Sequence, residues 1–250
     1  MDKQRFKEAC ESALDADWMR NGIGTLGEKT LHAVLKRYFE PDGAKHEIKV
    51  GSYVADIVTD EGIIEIQTRA FERLRKKLAA FLEIASVTVV FPVASTKWLL
   101  WIDESTGEVT KKRKSPRKGS IYDAVHELYK IKPFLAHPNL RLCVVLIDIE
   151  EYRLLDGWSA NKKKGSTRFD RVPVDIVDEI YFSATEDYCR FIPAEMKRQF
   201  TSRDLKASEK IYFRTSQDAL NILNHLEVAK RVGKQGNLYV YERSVSYHRK

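Results

Sequence analysis

Val54-Ala55-Asp56-Ile57-Val58 and Ile63-Ile64-Glu65-Ile66-Gln67 are two short apolar runs joined by Thr59-Asp60-Glu61-Gly62. The β-branched content and the Gly-containing turn predict the two strands of a hairpin. Asp56, Glu65 and Gln67 stand where a core strand would carry hydrophobes. Alternation puts Glu65 and Gln67 on one face of their strand. A hairpin centred on Asp60-Glu61 sets Asp56 opposite Glu65, a pairing that brings side chains to about 4.5–5.5 Å. Two carboxylates at that spacing repel unless something positive lies between them, and a divalent cation with oxygen ligands is the simplest occupant.

The flanking segments extend the pattern. Gly24-Thr25-Leu26-Gly27-Glu28 opens a run in which Leu31, Val34, Leu35, Tyr38 and Phe39 recur at helical spacing, and Pro41-Asp42-Gly43 ends it. His46 to Val50 reads as a strand, with Gly51-Ser52 as the turn into the hairpin. Residues 70–85 carry Phe71, Leu74, Leu78, Phe81, Leu82 and Ala85, a second helix with Arg73, Arg75, Lys76 and Lys77 interspersed. Val87 to Phe91 is an apolar strand. Helix, three strands, helix, strand is an order that places a mixed sheet between helices.

On these residues the chain, over roughly 20–93, resembles the PD-(D/E)xK nuclease superfamily, the restriction-endonuclease-like fold. Asp56 matches the family's metal-binding Asp, and Glu65-Ile66-Gln67 matches its E-x-K element. Glu28 matches the acidic residue that several branches add. Gln67 stands where Lys is commonest, although an E-x-Q form is similar to a variant among restriction enzymes. The resemblance implies a Mg²⁺ or Mn²⁺ ion held by Asp56, Glu65 and the backbone carbonyl of Ile66, with Glu28 binding it through water or holding a second ion. It implies hydrolysis of DNA phosphodiester bonds, with Gln67 orienting a water. Gln67 lacks the charge of Lys, so that role falls to Lys29, Lys49 or Arg69, or catalysis is weak or lost. Structural readings stand beside these. Glu28 also suits a helix N-terminus, Asp56 a solvent-facing turn and Gln67 a strand end.

The net charge of +7 is uneven: residues 196–250 hold twelve Lys or Arg against five Asp or Glu, which accounts for the whole surplus. We therefore divide the chain into a nuclease-like domain with a sheet extension over 1–195 and a basic module over 196–250. Residues 200–205 read as a short helix capped by Thr201 or Ser202. Thr215-Ser216-Gln217-Asp218 begins a second helix, and residues 228–232 and 237–241 form a hairpin around Gly233-Lys234-Gln235-Gly236. Two helices and a basic hairpin resemble a winged helix. That likeness implies base-edge contacts from Ser216, Gln217, Asn221 and Asn224, and phosphate contacts from Lys230, Arg231 and Lys234. A winged helix that packs on protein is the other reading.

In the middle of the chain, Trp98 to Ile102 reads as another strand, with Val109 beginning a partner. Residues 121–131 read as a helix and 140–149 as a strongly apolar strand. Two basic loops interrupt them. Residues 111–118 have six cations in eight, among them Lys112 and Arg113, and Lys162-Lys163-Lys164 forms the second. Either loop suits a phosphate backbone or plain solvent. Trp158 suits base stacking or packing. His32, His46, His126, His137 and His225 suggest no ligand set.

The expected class is α/β, a mixed central sheet flanked by helices, plus a small winged-helix domain. Cys10, Cys143 and Cys189 are too scattered for a zinc or disulfide framework. No apolar run spans a membrane and the first residues lack a signal peptide's apolar region, so a cytoplasmic protein is expected. The expected function is a metal-dependent DNA endonuclease, a homodimer if it cuts both strands. The alternatives are a catalytically inactive DNA-binding scaffold and a subunit whose basic loops bind protein or RNA.

Overall fold

The computed structural model describes residues 1–21 (backbone alone over 14–21), 30–103, 105–156 and 167–244. Helices α1 (Lys3–Asn21) and α2 (Thr30–Phe39) precede strands β1 (His46–Val50), β2 (Tyr53–Thr59) and β3 (Gly62–Ile66). Helix α3 (Phe71–Leu82) leads to β4 (Val87–Ile102), a short β5 (Arg113–Lys114) and α4 (Val125–Lys130). Two long strands follow, β6 (Leu140–Leu154) and β7 (Thr167–Phe182). They form one seven-stranded sheet in the order β1-β2-β3-β4-β6-β7, with β5 paired to β4. The β3–β4 and β4–β6 pairings are parallel and the others antiparallel. This is the mixed α/β sheet flanked by helices that the element order predicts.

Helices cover both faces, each with its own core. On one face Leu31, Val34, Leu35 and Tyr38 of α2 and Phe6 of α1 pack on Ile57, Ile66, Val90 and Ile147. On the other, Phe71, Leu74, Leu78 and Phe81 of α3 meet Ile63, Val87, Val89 and Val144. Each of these fully buried side chains contributes about 2 kcal/mol of transfer free energy.

Three expectations need correction. The strand read at Val87 to Phe91 and the one read at Trp98 to Ile102 are one strand. A bulge between Ala94 and Lys97 absorbs the interruption, and Asp148 Oδ1 accepts the Thr96 N–H at 2.9 Å. Val109 makes only an isolated bridge to Ile102. The helix read over 121–131 is a turn of 3₁₀ helix, Ile121–Ala124, followed by the six residues of α4.

The C-terminal segment holds β8 (Gln199–Phe200), α5 (Ser202–Glu209), α6 (Phe213–His225), β9 (Ala229–Gln235) and β10 (Leu238–Arg243), its strands ordered β8-β10-β9. Thr201 is the N-cap of α5, accepting the Asp204 N–H, as read from sequence. Helix α6 begins two residues before the predicted Thr215. Phe200, Leu205, Leu220, Leu223 and Tyr241 belong to the same core as α3, so the described residues of the C-terminal segment, up to 244, and the sheet domain share one hydrophobic interior.

Candidate functional site

The β2–β3 ladder closes on Thr59 opposite Gly62 and runs back through Val58–Ile63 to Ile57–Ile64. There it stops, and the strands part. Buried N–H groups must still be paired, and the two carboxylates do this in place of main-chain carbonyls. Asp56 N–H donates to Glu65 Oε1 at 3.1 Å, and Ile66 N–H donates to Asp56 Oδ2 at 2.7 Å. The fork is also a change of face. Ala55 packs on the α3 side and Ile57 on the α2 side, although residues two apart share a face in a regular strand.

A cationic or ionisable group reaches the fork from each covering helix. Lys77 Nζ of α3 lies 2.5 Å from Glu65 Oε2, and His32 Nε2 of α2 lies 3.4 Å from Asp56 Oδ2. Glu65 is only 2% exposed. Burial, then the Asp56 charge, push its carboxyl up to about 7 against the pull of Lys77. Burial also raises Asp56, but His32, the Ile66 N–H and Lys77 outweigh it and hold that carboxyl below its ordinary value. Environments that drive two neighbouring carboxyls apart set up one proton holder and one persistent anion. The pair offers hard oxygen donors beside a lysine, a combination suited to a divalent cation and a phosphate.

The structure brings Asp56 and Glu65 together, and what it sets against Asp56 from Ile66 is the N–H, not the carbonyl that the resemblance invoked. Gln67 turns elsewhere: its amide donates to the Arg69 carbonyl at 2.5 Å, bracing the turn into α3, where Ala70 adopts a left-handed φ of 60°. Glu28 and Lys29 lie outside the described residues. Lys49 is exposed on β1 and Arg69 is exposed past β3, so neither fills the lysine role. The lysine that reaches Glu65 is Lys77, which the sequence reading did not single out. The signal was its place three residues after Leu74 and four before Phe81, on the flank of the inward stripe. His32 was dismissed because a ligand set was sought among histidines alone. Among the described residues no group of three or more His, Cys, Asp or Glu is arranged to hold a metal.

The residues expected to meet nucleic acid are scattered. Ser216 is 0% exposed and donates to the Phe213 carbonyl at 2.8 Å, which corrects its assignment to base edges. Asn221 accepts from Lys132 Nζ at 2.8 Å, and Asn224 accepts the Arg231 N–H at 3.2 Å, so both serve the fold. Gln217, Lys230, Arg231 and Lys234 are exposed, with the Arg231 guanidinium 4.2 Å from the Tyr239 ring centroid. Lys112 is anchored, 2.5 Å from Glu150 Oε1 and over Trp98, and Arg113 pairs with Leu99 in β5. Trp158 and Lys163 fall outside the described residues.

Among the described residues no helix is long and apolar enough to cross a membrane. Comparison with known proteins finds an uncharacterized protein of Treponema pallidum (strain Nichols), 27% identical over 223 residues that cover 88% of this chain and 87% of that protein. No solved structure matches. A family described as "Domain of unknown function (DUF8091)" matches residues 29–183, which hold α2, the whole large sheet and the β2–β3 fork. The chain belongs to the DUF8091 family.

Proposed function

We propose that this protein is a cytoplasmic metal-dependent nuclease that hydrolyses DNA phosphodiester bonds at the β2–β3 fork. The observation that carries the reading is the approach of Asp56, Glu65 and Lys77 where the ladder opens, between α2 and α3, in the element order of the PD-(D/E)xK nucleases. The donor chemistry fits Mg²⁺ or Mn²⁺, since two adjacent carboxylates present hard oxygens. Asp56, Glu65 and the Ile66 carbonyl would hold the ion, which supplies phosphoryl polarisation and a more acidic water. Lys77 steadies negative charge that develops on the phosphate, a task Gln67 cannot perform. His32 orients Asp56. Glu65 titrates near neutrality while no cation is bound, so taking up the ion at the fork would release the proton from its carboxyl. The C-terminal segment, read as a winged helix, brings DNA to the site through Lys230 and Lys234, and cutting of both strands would need a second copy.

One observation favours a second reading. Lys77 already neutralises Glu65, and a divalent ion has to displace or share that contact. A scaffold that binds DNA without cutting would look the same. Incubating plasmid, linear, branched and single-stranded DNA with Mg²⁺ or Mn²⁺, beside Glu65→Ala, separates the two. Cutting by wild type alone supports the nuclease; salt-sensitive binding with no cutting in either protein supports the scaffold.

A further inference from the structure

Past the fork the chain assembles an excess of positive charge around one buried carboxylate. Glu151, on β6, is 3% exposed. Its Oε2 lies 3.2 Å from Lys97 Nζ and its Oε1 accepts from Arg153 Nε at 2.8 Å. Arg171 stands directly opposite Glu151 in the β6–β7 ladder, yet both carboxylate oxygens are already engaged. Asp170, the next acid, is bound by Thr30 Oγ1 and by the Arg171 N–H. Among the described residues the Arg171 guanidinium therefore has no ion pair and no side-chain hydrogen bond.

Arg171 is half-buried, and a guanidinium that lines a cavity without an ion pair of its own is suited to anchor an anionic ligand. Burial first, then Arg168, hold the Arg171 guanidinium down to about 10, far below an arginine's usual value, and Arg69 adds to the effect. Arg171 opens into a cavity of about 220 Å³ bordered also by Thr68, Lys97, Gly119 and Arg117, the last ion-paired with Asp123, whose carboxylate lines the cavity too. That volume is below the range of pockets that enclose whole drug-sized ligands, and suits a phosphate with part of a sugar. A Cβ on Gly119 would overlap the Ala94 carbonyl, so the loop closes tightly over β4 there.

The cavity's position says whose phosphate. The Gln67 N–H donates to the Val90 carbonyl at 2.9 Å, and Thr68 and Phe91 to Ala94 line the cavity immediately beyond that bond. Thr68 is three residues after Glu65, a reach of at most about 10 Å. Crevices beyond the carboxyl ends of parallel strands are where open α/β sheets bind ligands. Arg117 and Asp123 also border a second cavity of about 500 Å³, which continues past Lys118 to the exposed Tyr212. A free anion has no use for that continuation, whereas a chain-like polyanion follows it.

We propose that the cavity bordered by Arg171, Lys97, Arg117 and Thr68 binds a phosphate group of a nucleic-acid strand, one that runs from the Asp56–Glu65 fork toward Tyr212. The choice of nucleic acid rests on the nuclease reading; the anion site itself does not.

The test is fluorescence anisotropy in EDTA with short single-stranded oligonucleotides bearing a 5′-phosphate, a 3′-phosphate or only hydroxyl ends, for wild type, Arg171→Met and Arg171→Lys. A terminal phosphate in the cavity makes one phosphorylated oligonucleotide bind about tenfold tighter than the hydroxyl form, and Arg171→Met removes that difference. An internal phosphate leaves the ends equivalent and weakens all three about tenfold in Arg171→Met. Arg171→Lys recovers part of either effect. Thermal melts give an independent readout, since ligand bound only to the native state raises Tm. Inorganic phosphate raises the wild-type Tm above that in chloride of equal ionic strength, and the Tm of Arg171→Met does not respond to phosphate. Wild-type oligonucleotide affinity in Arg171→Met, with phosphate and chloride melts that coincide, overturns the proposal. DNA left uncut with Mg²⁺ while the phosphate effects persist would reject the nuclease and keep the anion site.

Discussion

Lys77 and Gln67 divide between them what the sequence assigned to one position. The amide of Gln67 holds the Arg69 carbonyl, whereas Lys77 sits on Glu65. Gln67→Ala is therefore expected to cost about 1 kcal/mol of stability and leave cleavage within a few-fold. Lys77→Met should lower cleavage by about 10²-fold or more, the scale on which removing one charge-stabilising group acts. Single-turnover rates for both variants check this, and equal losses would return the lysine role to position 67. Glu65 gives a second expectation, with a definite sign. Its folded carboxyl titrates near 7 and its unfolded one near the ordinary 4.5, so the folded state binds the extra proton. Its contribution is fully present below about pH 4.5 and is lost as pH rises toward about 7, a loss on the order of 3 kcal/mol. Asp56 runs the other way, holding its contribution above its ordinary value and losing it as pH falls through its depressed one. Glu65→Gln should remove the decline between about pH 4.5 and 7 in denaturant titrations. A decline of the same size in the variant would place its cause elsewhere.

Elements whose residues alternate or repeat cleanly were readable, and those held by distant partners were not. Helices α2 and α3 and strands β1 to β3 have their periodicity written locally, so the fold around the fork was legible, as was the opposition of Asp56 and Glu65. Strand β4 was split in the reading because Pro92 and Ala94-Ser95-Thr96 look like a break. Only Asp148, from another strand, makes a bulge viable there by accepting the Thr96 N–H. Strand β7 was missed altogether. Its Asp170, Asp175, Asp178 and Glu179 mask the alternation, and its long pairing with β6 supplies what its own residues do not signal. Lys77 escaped notice for a similar reason, since a helix sequence shows which flank a lysine lies on but not which carboxylate waits across the sheet. The turn that fixes the fork's register was legible and is sensitive to change. Gly62 has φ of +136°, and a Cβ there would collide with the Ser86 carbonyl that accepts the Ile63 N–H. Gly62→Ala combines left-handed strain with that clash and should cost at least about 2 kcal/mol. Cleavage should fall with it, because a displaced β3 carries Glu65 away from Asp56. A variant with wild-type Tm would mean that β3 tolerates a shift at its start.

Charge and core divide the whole molecule differently. All of the net charge lies in residues 196–250, yet that segment shares the α3 core through Phe200, Leu205, Leu220 and Leu223, which are buried in it. Deleting the segment to test DNA binding would expose that core and confuse unfolding with lost affinity. Surface substitution avoids this. Arg231 is a poor choice because it packs on Tyr239 and donates to the Tyr241 hydroxyl at 3.2 Å. Lys230 and Lys234 are exposed on the β9–β10 hairpin and carry little of the fold, Lys230 having only a 4.0 Å approach to Glu227. If both meet phosphates, each releases about 0.9 of a counterion on duplex DNA. The double variant Lys230→Ala, Lys234→Ala should keep its Tm and lower the slope of log affinity against log salt by about 2. The loss should be the same for unrelated duplex sequences, because phosphate contacts carry no base information. An unchanged slope at unchanged Tm would remove the hairpin from the DNA path and leave the Arg171 cavity and the anchored loop around Lys112 as the surfaces that hold the strand.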